Sequence, residues 1–263
     1  MIKIAHLLIV LFVSSHIYAQ TPKRSDSFSL GDYNIYYEVY GEGTPLLLLH
    51  GYTQSSVSWR PYIQDYIDDY EVYLIDLTGH GKSSPFNHDL SIRSVAQDLN
   101  LLLDDLKLDN IKAIGFSFGG DVLYQLALLN PDLIENMITI GAVGTWTIKD
   151  FPEYLKSFTF DNRDNFPWLK DAHEGEEQVK ALMEQFKNYN IELSIEELES
   201  IKPEVLIILG DDDEGLDLQE VLRARQHLTN SDLWILPNVA HSAHEGENKE
   251  DFIKKTKRFL SKK

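Results

Sequence analysis

Lys112-Ala113-Ile114-Gly115-Phe116-Ser117-Phe118-Gly119-Gly120 carries an apolar run straight into a Gly-x-Ser-x-Gly turn and then into a helical period. A serine on so tight a strand-to-helix bend takes strained backbone angles, and the residues two before and two after it must be small. Gly115 and Gly119 meet that demand. The bend holds the hydroxyl at the mouth of a sheet above the N-terminus of the next helix, whose positive end favours developing negative charge. Ser117 is therefore the candidate nucleophile.

Outward from this bend, Leu46–Leu49, Glu71–Ile75, Ile111–Ile114, Met137–Ile140, Val205–Leu209 and Leu233–Leu236 are short apolar runs, and Tyr33–Tyr40 alternates in character. Such runs suit strands buried on both faces. Between them, Val95, Leu99, Leu102, Leu103 and Leu106 recur at helical spacing, as do Val122, Leu126 and Leu129, with Asn130-Pro131 as a stop. Alternating strands and helices predict an α/β fold, a mostly parallel central sheet with helices on both faces. The last helix, Asn248–Leu260, keeps Phe252, Ile253, Thr256, Phe259 and Leu260 on one side. Its Lys254, Lys255, Lys257 and Arg258 form a solvated face that complements the helix C-terminus.

The stretch 145–200 breaks this rhythm: it is rich in aromatic and charged residues, has helical periods, and shows no convincing strand. It is expected to be a helical lid insertion. The expected organisation is a leader over 1–19, a core in two parts, 20–144 and 201–263, and the lid between them. In the leader, Lys3 precedes the apolar run Ile4–Val13, and Ser14–Ala19 is a more polar exit. The run is shorter than the roughly 20 residues that span a bilayer. Cleavage after Ala19 and export to a periplasm or beyond are the expectation, without stable membrane insertion afterwards.

With 263 residues and 43% hydrophobic content the chain can bury a full core. A formal charge of −18 argues against a nucleic-acid partner, which needs basic surface. The chain has no cysteine, so disulfides, a thiol nucleophile and cysteine-bound zinc are excluded.

A serine hydroxyl needs a base and a group to orient that base. Two later apolar runs end in suitable residues: Val205–Gly210 leads into Asp211-Asp212-Asp213-Glu214, and Leu233–Leu236 leads towards His241 and His244. The order serine, acid, histidine is that of a strand-turn-helix nucleophile. The acidic run lacks the alternating ligand spacing of a calcium loop. His241-x-x-His244 has no third ligand pattern near it. Neither a metal nor a cofactor is expected.

Four segments in order, His50-Gly51-Tyr52, Asp76 to Ser83, the Ser117 bend and the C-terminal acid and histidine, resemble the α/β-hydrolase superfamily over about Asp32 to Leu260. The resemblance implies Asp213 as the acid, three residues after the strand-ending Gly210, with Asp211 and Asp212 as alternatives. It implies His241 rather than His244 as the base, with Ala240 where the family usually has glycine. It also implies the backbone N–H groups of Tyr52 and Phe118 as oxyanion donors, and structural roles for His50 and the Asp76 to Ser83 turn. The superfamily's other acid position, Gly141–Ile148, holds no carboxylate. The function so implied is a serine hydrolase, esterase-like, cleaving small or medium carboxylic esters through an acyl-enzyme. Related families that open epoxides or remove halides carry aspartate at this bend. The same triad acting on amides, lactones, C–C bonds or in peracid formation, or a small-molecule receptor with vestigial hydrolysis, are the alternatives. A small-molecule substrate is the expected partner, and Trp59, Trp146 and Trp168 are the tryptophans to examine beside it.

Overall fold

The computed structural model describes residues 21–262, so the expected leader lies outside the described residues. In chain order the strands are β1 (Arg24–Leu30), β2 (Tyr33–Tyr40), β3 (Thr44–Leu49), β4 (Tyr70–Ile75), β5 (Ile111–Phe116), β6 (Ile134–Ile140), β7 (Thr145–Thr147), β8 (Asn190–Glu192), β9 (Glu204–Gly210) and β10 (Ser231–Leu236). The helices are α1 (Ile63–Tyr66), α2 (Ile92–Asp105), α3 (Phe118–Leu129), α4 (Pro152–Ser157), α5 (Trp168–Ala172), α6 (Glu176–Gln185), α7 (Ile195–Ser200), α8 (Leu218–His227) and α9 (Lys249–Leu260).

Eight strands form one sheet in the order β1-β2-β4-β3-β5-β6-β9-β10. β2 runs against both of its neighbours, and the remaining pairings are parallel. The period-2 geometry of a strand explains why continuous apolar runs work here. In β3, Leu47 and Leu49 face a core shared with α2, α3 and α8, while Leu46 and Leu48 face a second core shared with α1 and α9. Phe252, Thr256, Phe259 and Leu260 of α9 are buried, and Lys257 meets Asp69 at 2.8 Å on its outer side.

The strand order turns at β3, which has β4 on one side and β5 on the other. In an open α/β sheet that reversal leaves a crevice at the carboxyl ends of the strands. The loops after β3, β5, β9 and β10 carry Tyr52, Ser117, Asp213 and His241. All four line one cavity.

Between the adjacent strands β6 and β9 the chain leaves the main sheet. The sequence predicts only helices in this excursion, whereas the structure adds an antiparallel ribbon, β7 with β8, pairing Thr145 with Glu192 and Thr147 with Asn190. Three residues per strand are too few for a period to show. Among the described residues no helix is long and apolar enough to cross a membrane.

Gly210 lets the loops after β9 and β10 meet, because a Cβ there would collide with the Val239 carbonyl oxygen. Gly210→Ala is expected to cost about 3 kcal/mol by forcing the backbone apart. Urea unfolding measures that loss.

Candidate active site

Ser117 sits at φ 50° and ψ −115°, a region that non-glycine residues seldom enter. Close packing holds it there. Its N–H donates to the Ile140 carbonyl at 2.7 Å. A Cβ on Gly115 would lie 2.5 Å from the Gly119 carbonyl carbon, one on Gly119 2.6 Å from the Leu49 oxygen, and one on Gly120 2.7 Å from Ala142 Cβ. The start of α3 is thereby pressed onto β3, β5 and the end of β6, and the Ser117 hydroxyl is left in the cavity wall.

Asp213 and His241 come together: His241 Nδ1–H donates to Asp213 Oδ2 at 2.7 Å. The other carboxylate oxygen accepts the Gly215 N–H at 2.9 Å, so both oxygens of this nearly buried group are used. The imidazole is 42% exposed, and it faces the cavity. Gly141 makes room for it, since a Cβ there would sit 2.7 Å from His241 Cε1.

The alternative residues go elsewhere. Asp211 accepts the Asn238 N–H at 2.6 Å and shapes the loop, and Asp212 is exposed. His244 is buried between Trp59, Tyr62, Phe116 and Phe252, away from the cavity lining. Trp59 belongs to that same core, whereas Trp146 and Trp168 line the cavity.

The N–H groups of Tyr52 and Phe118 have no acceptor among the described residues. Phe118 opens α3, so its N–H is one of the free donors of a helix start. The Tyr52 side chain has a further job. Its ring packs against His80, Phe118, Phe186 and Tyr189, and its hydroxyl donates to the Leu182 carbonyl of α6 at 2.8 Å.

Next along the loop, Thr53 has φ 71°, unusual for a β-branched residue. Two side chains of the excursion hold it: Trp168 Nε1 donates to its hydroxyl at 3.4 Å, and His173 Nε2 donates to its carbonyl at 3.2 Å. His173 Nδ1 accepts the Gly81 N–H at 2.9 Å. His50 donates from Nδ1 to the Gly51 carbonyl and accepts the Leu77 N–H at Nε2. Both imidazoles use one nitrogen as donor and one as acceptor, which only the neutral ring can do. Burial pushes both down to about 4. His80 lies between them and falls well below its usual value through burial and its two histidine neighbours.

Asp121 is a site residue that sequence reasoning missed. This carboxyl, in the first turn of α3, is 3% exposed and lines the cavity. Tyr189 donates to its Oδ2 at 2.8 Å, while Oδ1 has no hydrogen-bond partner among the described residues. Burial pushes it up to about 7, against the pull of Tyr189, the Gly144 N–H and His241. The Ser117 side chain is a near neighbour of the Tyr189 hydroxyl. A single carboxylate on the mostly apolar helix Phe118–Leu129 is the signal that could have singled it out.

A family model described as alpha/beta hydrolase fold matches residues 44–193. Among curated relatives, a soluble epoxide hydrolase from Corynebacterium sp. (strain C12) is 32% identical over 114 residues, 43% of this chain and 40% of that one. A pimeloyl-[acyl-carrier protein] methyl ester esterase from Photobacterium profundum is 30% identical over 136 residues, 49% of this chain and 51% of that one. The chain thus spans about half the length, or less, of the curated relatives it matches. The solved structure of carboxylesterase CesB from Bacillus subtilis superposes with a TM-score of 0.74 at 20% identity, covering 91% of this chain and 93% of that one. At that identity the likeness speaks for the fold.

The buried histidines set a pH dependence. Between about pH 6.5 and 4 the unfolded chain binds protons that His50, His80, His173 and His244 refuse when folded, so stability falls as pH falls through that window. Asp76 and Asp121, raised by burial, act in the opposite direction, but four histidines outnumber two carboxyls. Each fully engaged histidine adds a slope of about 1.4 kcal/mol per pH unit. Thermal unfolding midpoints are expected to drop from pH 7 to pH 5. His173→Gln, which keeps a donor and an acceptor without the titration, is expected to make that drop shallower.

Proposed function

The chain belongs to the α/β-hydrolase fold family, and from that premise we propose that it is a serine hydrolase acting on carboxylic esters of small or medium size. The observation that carries this reading is the 2.7 Å pair of His241 and Asp213 sharing a cavity with a strained Ser117. The relative named as an epoxide hydrolase gives no reason to transfer its reaction, because serine stands at the bend here.

In this mechanism His241 Nε2 takes the Ser117 proton as the oxygen attacks the ester carbonyl. Asp213, held by Gly215, fixes the tautomer with Nδ1 protonated and stabilises the imidazolium. The N–H groups of Tyr52 and Phe118 receive the oxyanion. Such donors are worth about 3 to 4 kcal/mol each in the transition state. His241 returns the proton to the departing alcohol, then activates water to release the acid. The cavity, about 920 Å³ with mostly aromatic and aliphatic walls, suits an ester with apolar substituents.

Labelling with a fluorophosphonate followed by peptide mapping is expected to place the adduct on Ser117. Ser117→Ala is expected to lose labelling and to lower ester turnover by a factor of at least about 10³, with the unfolding midpoint kept. Turnover that survives in that variant would end the proposal. Asp213→Asn is expected to lower kcat by about 10⁴ through the wrong tautomer. Export with cleavage after Ala19 belongs to the same proposal, and N-terminal sequencing of the mature protein beginning at Gln20 would support it.

A further inference from the structure

The charge lining the cavity is one-sided. Five carboxylates face it, Asp121, Asp171, Asp212, Asp213 and Glu214, and among the described residues no lysine or arginine does. Asp213 is committed to His241 and Gly215. Asp171, Asp212 and Glu214 are exposed, and none forms an ion pair among the described residues. Asp121 stands deeper, almost fully buried, with one carboxylate oxygen unpartnered.

Acidic residues at a rim would by themselves be ordinary solvated surface. Two further features separate this cavity from that case. A carboxylate ionised inside an apolar wall is costly, and the field of a cation in the cavity would offset that cost, although the unpartnered oxygen itself is covered by protein. The walls around it are aromatic: Trp146, Phe151, Tyr154, Trp168 and Phe186 all line the same space. Trp146 and Phe151 stack on each other at 5.4 Å and 15°. Aromatic faces attract ammonium groups through the ring quadrupole, most strongly where water is excluded. Carboxylates at a cleft mouth also focus the potential that draws cations in.

We propose that the cavity selects esters that carry a positive charge, an ammonium group seated among the aromatic walls and opposite Asp121, and that it disfavours anionic esters. This rests on the reading of Ser117 as the nucleophile and adds the substrate class to it. Ionised Asp121 supplies the deep charge and Asp171, Asp212 and Glu214 the field at the entrance. The groups facing Asp121 are Tyr189, Tyr124 and His241. Both tyrosine hydroxyls are pushed far up by burial and stay neutral near pH 7. His241 acts as the base for every ester, so its ionisation as a general base cancels when two esters are compared at one pH.

The test uses isosteric pairs differing only in charge. On the alcohol side these are butyrylcholine and 3,3-dimethylbutyl butyrate. On the acyl side they are phenyl 4-(trimethylammonio)butyrate and phenyl 5,5-dimethylhexanoate. On at least one side, kcat/KM for the cationic member is expected to exceed that of the neutral one by tenfold or more at low salt. The ratio is expected to shrink as ionic strength rises. It is expected to grow from pH 6 to pH 8, and Asp121→Asn is expected to flatten that rise. The double variant Asp212→Asn, Glu214→Gln is expected to lower the ratio on its own, which keeps the test standing if Asp121→Asn does not fold. Tetramethylammonium is expected to slow labelling of Ser117 by a neutral fluorophosphonate, and neopentyl alcohol to have less effect. Ser117 labelling with charge ratios near one on both sides would overturn the inference and leave the esterase reading intact. Absence of labelling in the folded protein would overturn both.

Discussion

The whole site depends on how closely α3 approaches the sheet at its start. Ser117 keeps φ 50° only because its N–H is tied to Ile140 and because glycine at 115, 119 and 120 lets the helix lie against β3, β5 and the residues after β6. Strain of this kind costs of order 1–3 kcal/mol and persists where the surroundings over-determine it. Here three neighbouring strands do so. The same closeness places the helix N-terminus, the Phe118 N–H and the Asp121 carboxyl around one point. Removing the closeness would disperse all of them together.

The excursion between β6 and β9 is held down by polar contacts as much as by apolar packing. Tyr52 reaches Leu182, His173 reaches Gly81 and Thr53, Gln178 reaches the Ser83 carbonyl, and Tyr189 reaches Asp121. Each contact joins the excursion to the loop after β3, the Asp76 to Ser83 turn, or α3. The segment that walls the cavity is therefore fastened to the loops that carry the proposed oxyanion donors. Shape and chemistry in the cavity are coupled through these few bonds.

Much of this was legible from local pattern. β3, β5, β6 and β9 are buried on both faces, so their apolar runs stood out, and the residues at their ends were then confined to one edge. β1 was not legible: Arg24–Leu30 is a polar edge strand with only Phe28 and Leu30 partly covered. Nor was α8, where Val221 and Ala224 alone are buried among charged and polar residues. In the site, Asp213 and His241 could be proposed because each closely follows a readable strand. Asp121 and Tyr189 could not, because their meeting spans 68 positions and requires the excursion to be folded over the sheet. Local pattern gives what a strand end presents, and only tertiary structure gives what is brought to it.

The histidines illustrate the same division in electrostatic terms. Five of them, His50, His80, His173, His241 and His244, lie near the strand ends, and residue type alone would make each a candidate base. Four are buried and driven towards the neutral form, two of them in full donor and acceptor pairings that a proton would break. His241 alone among the five combines exposure to the cavity with a carboxylate on Nδ1, which leaves Nε2 as the free acceptor. A general base must be able to gain a proton during the reaction. Buried rings that must stay neutral are suited to holding loops, and the one open ring with an acid behind it is suited to moving protons. That contrast favours His241 as the proposed base on physical grounds independent of its place in any motif.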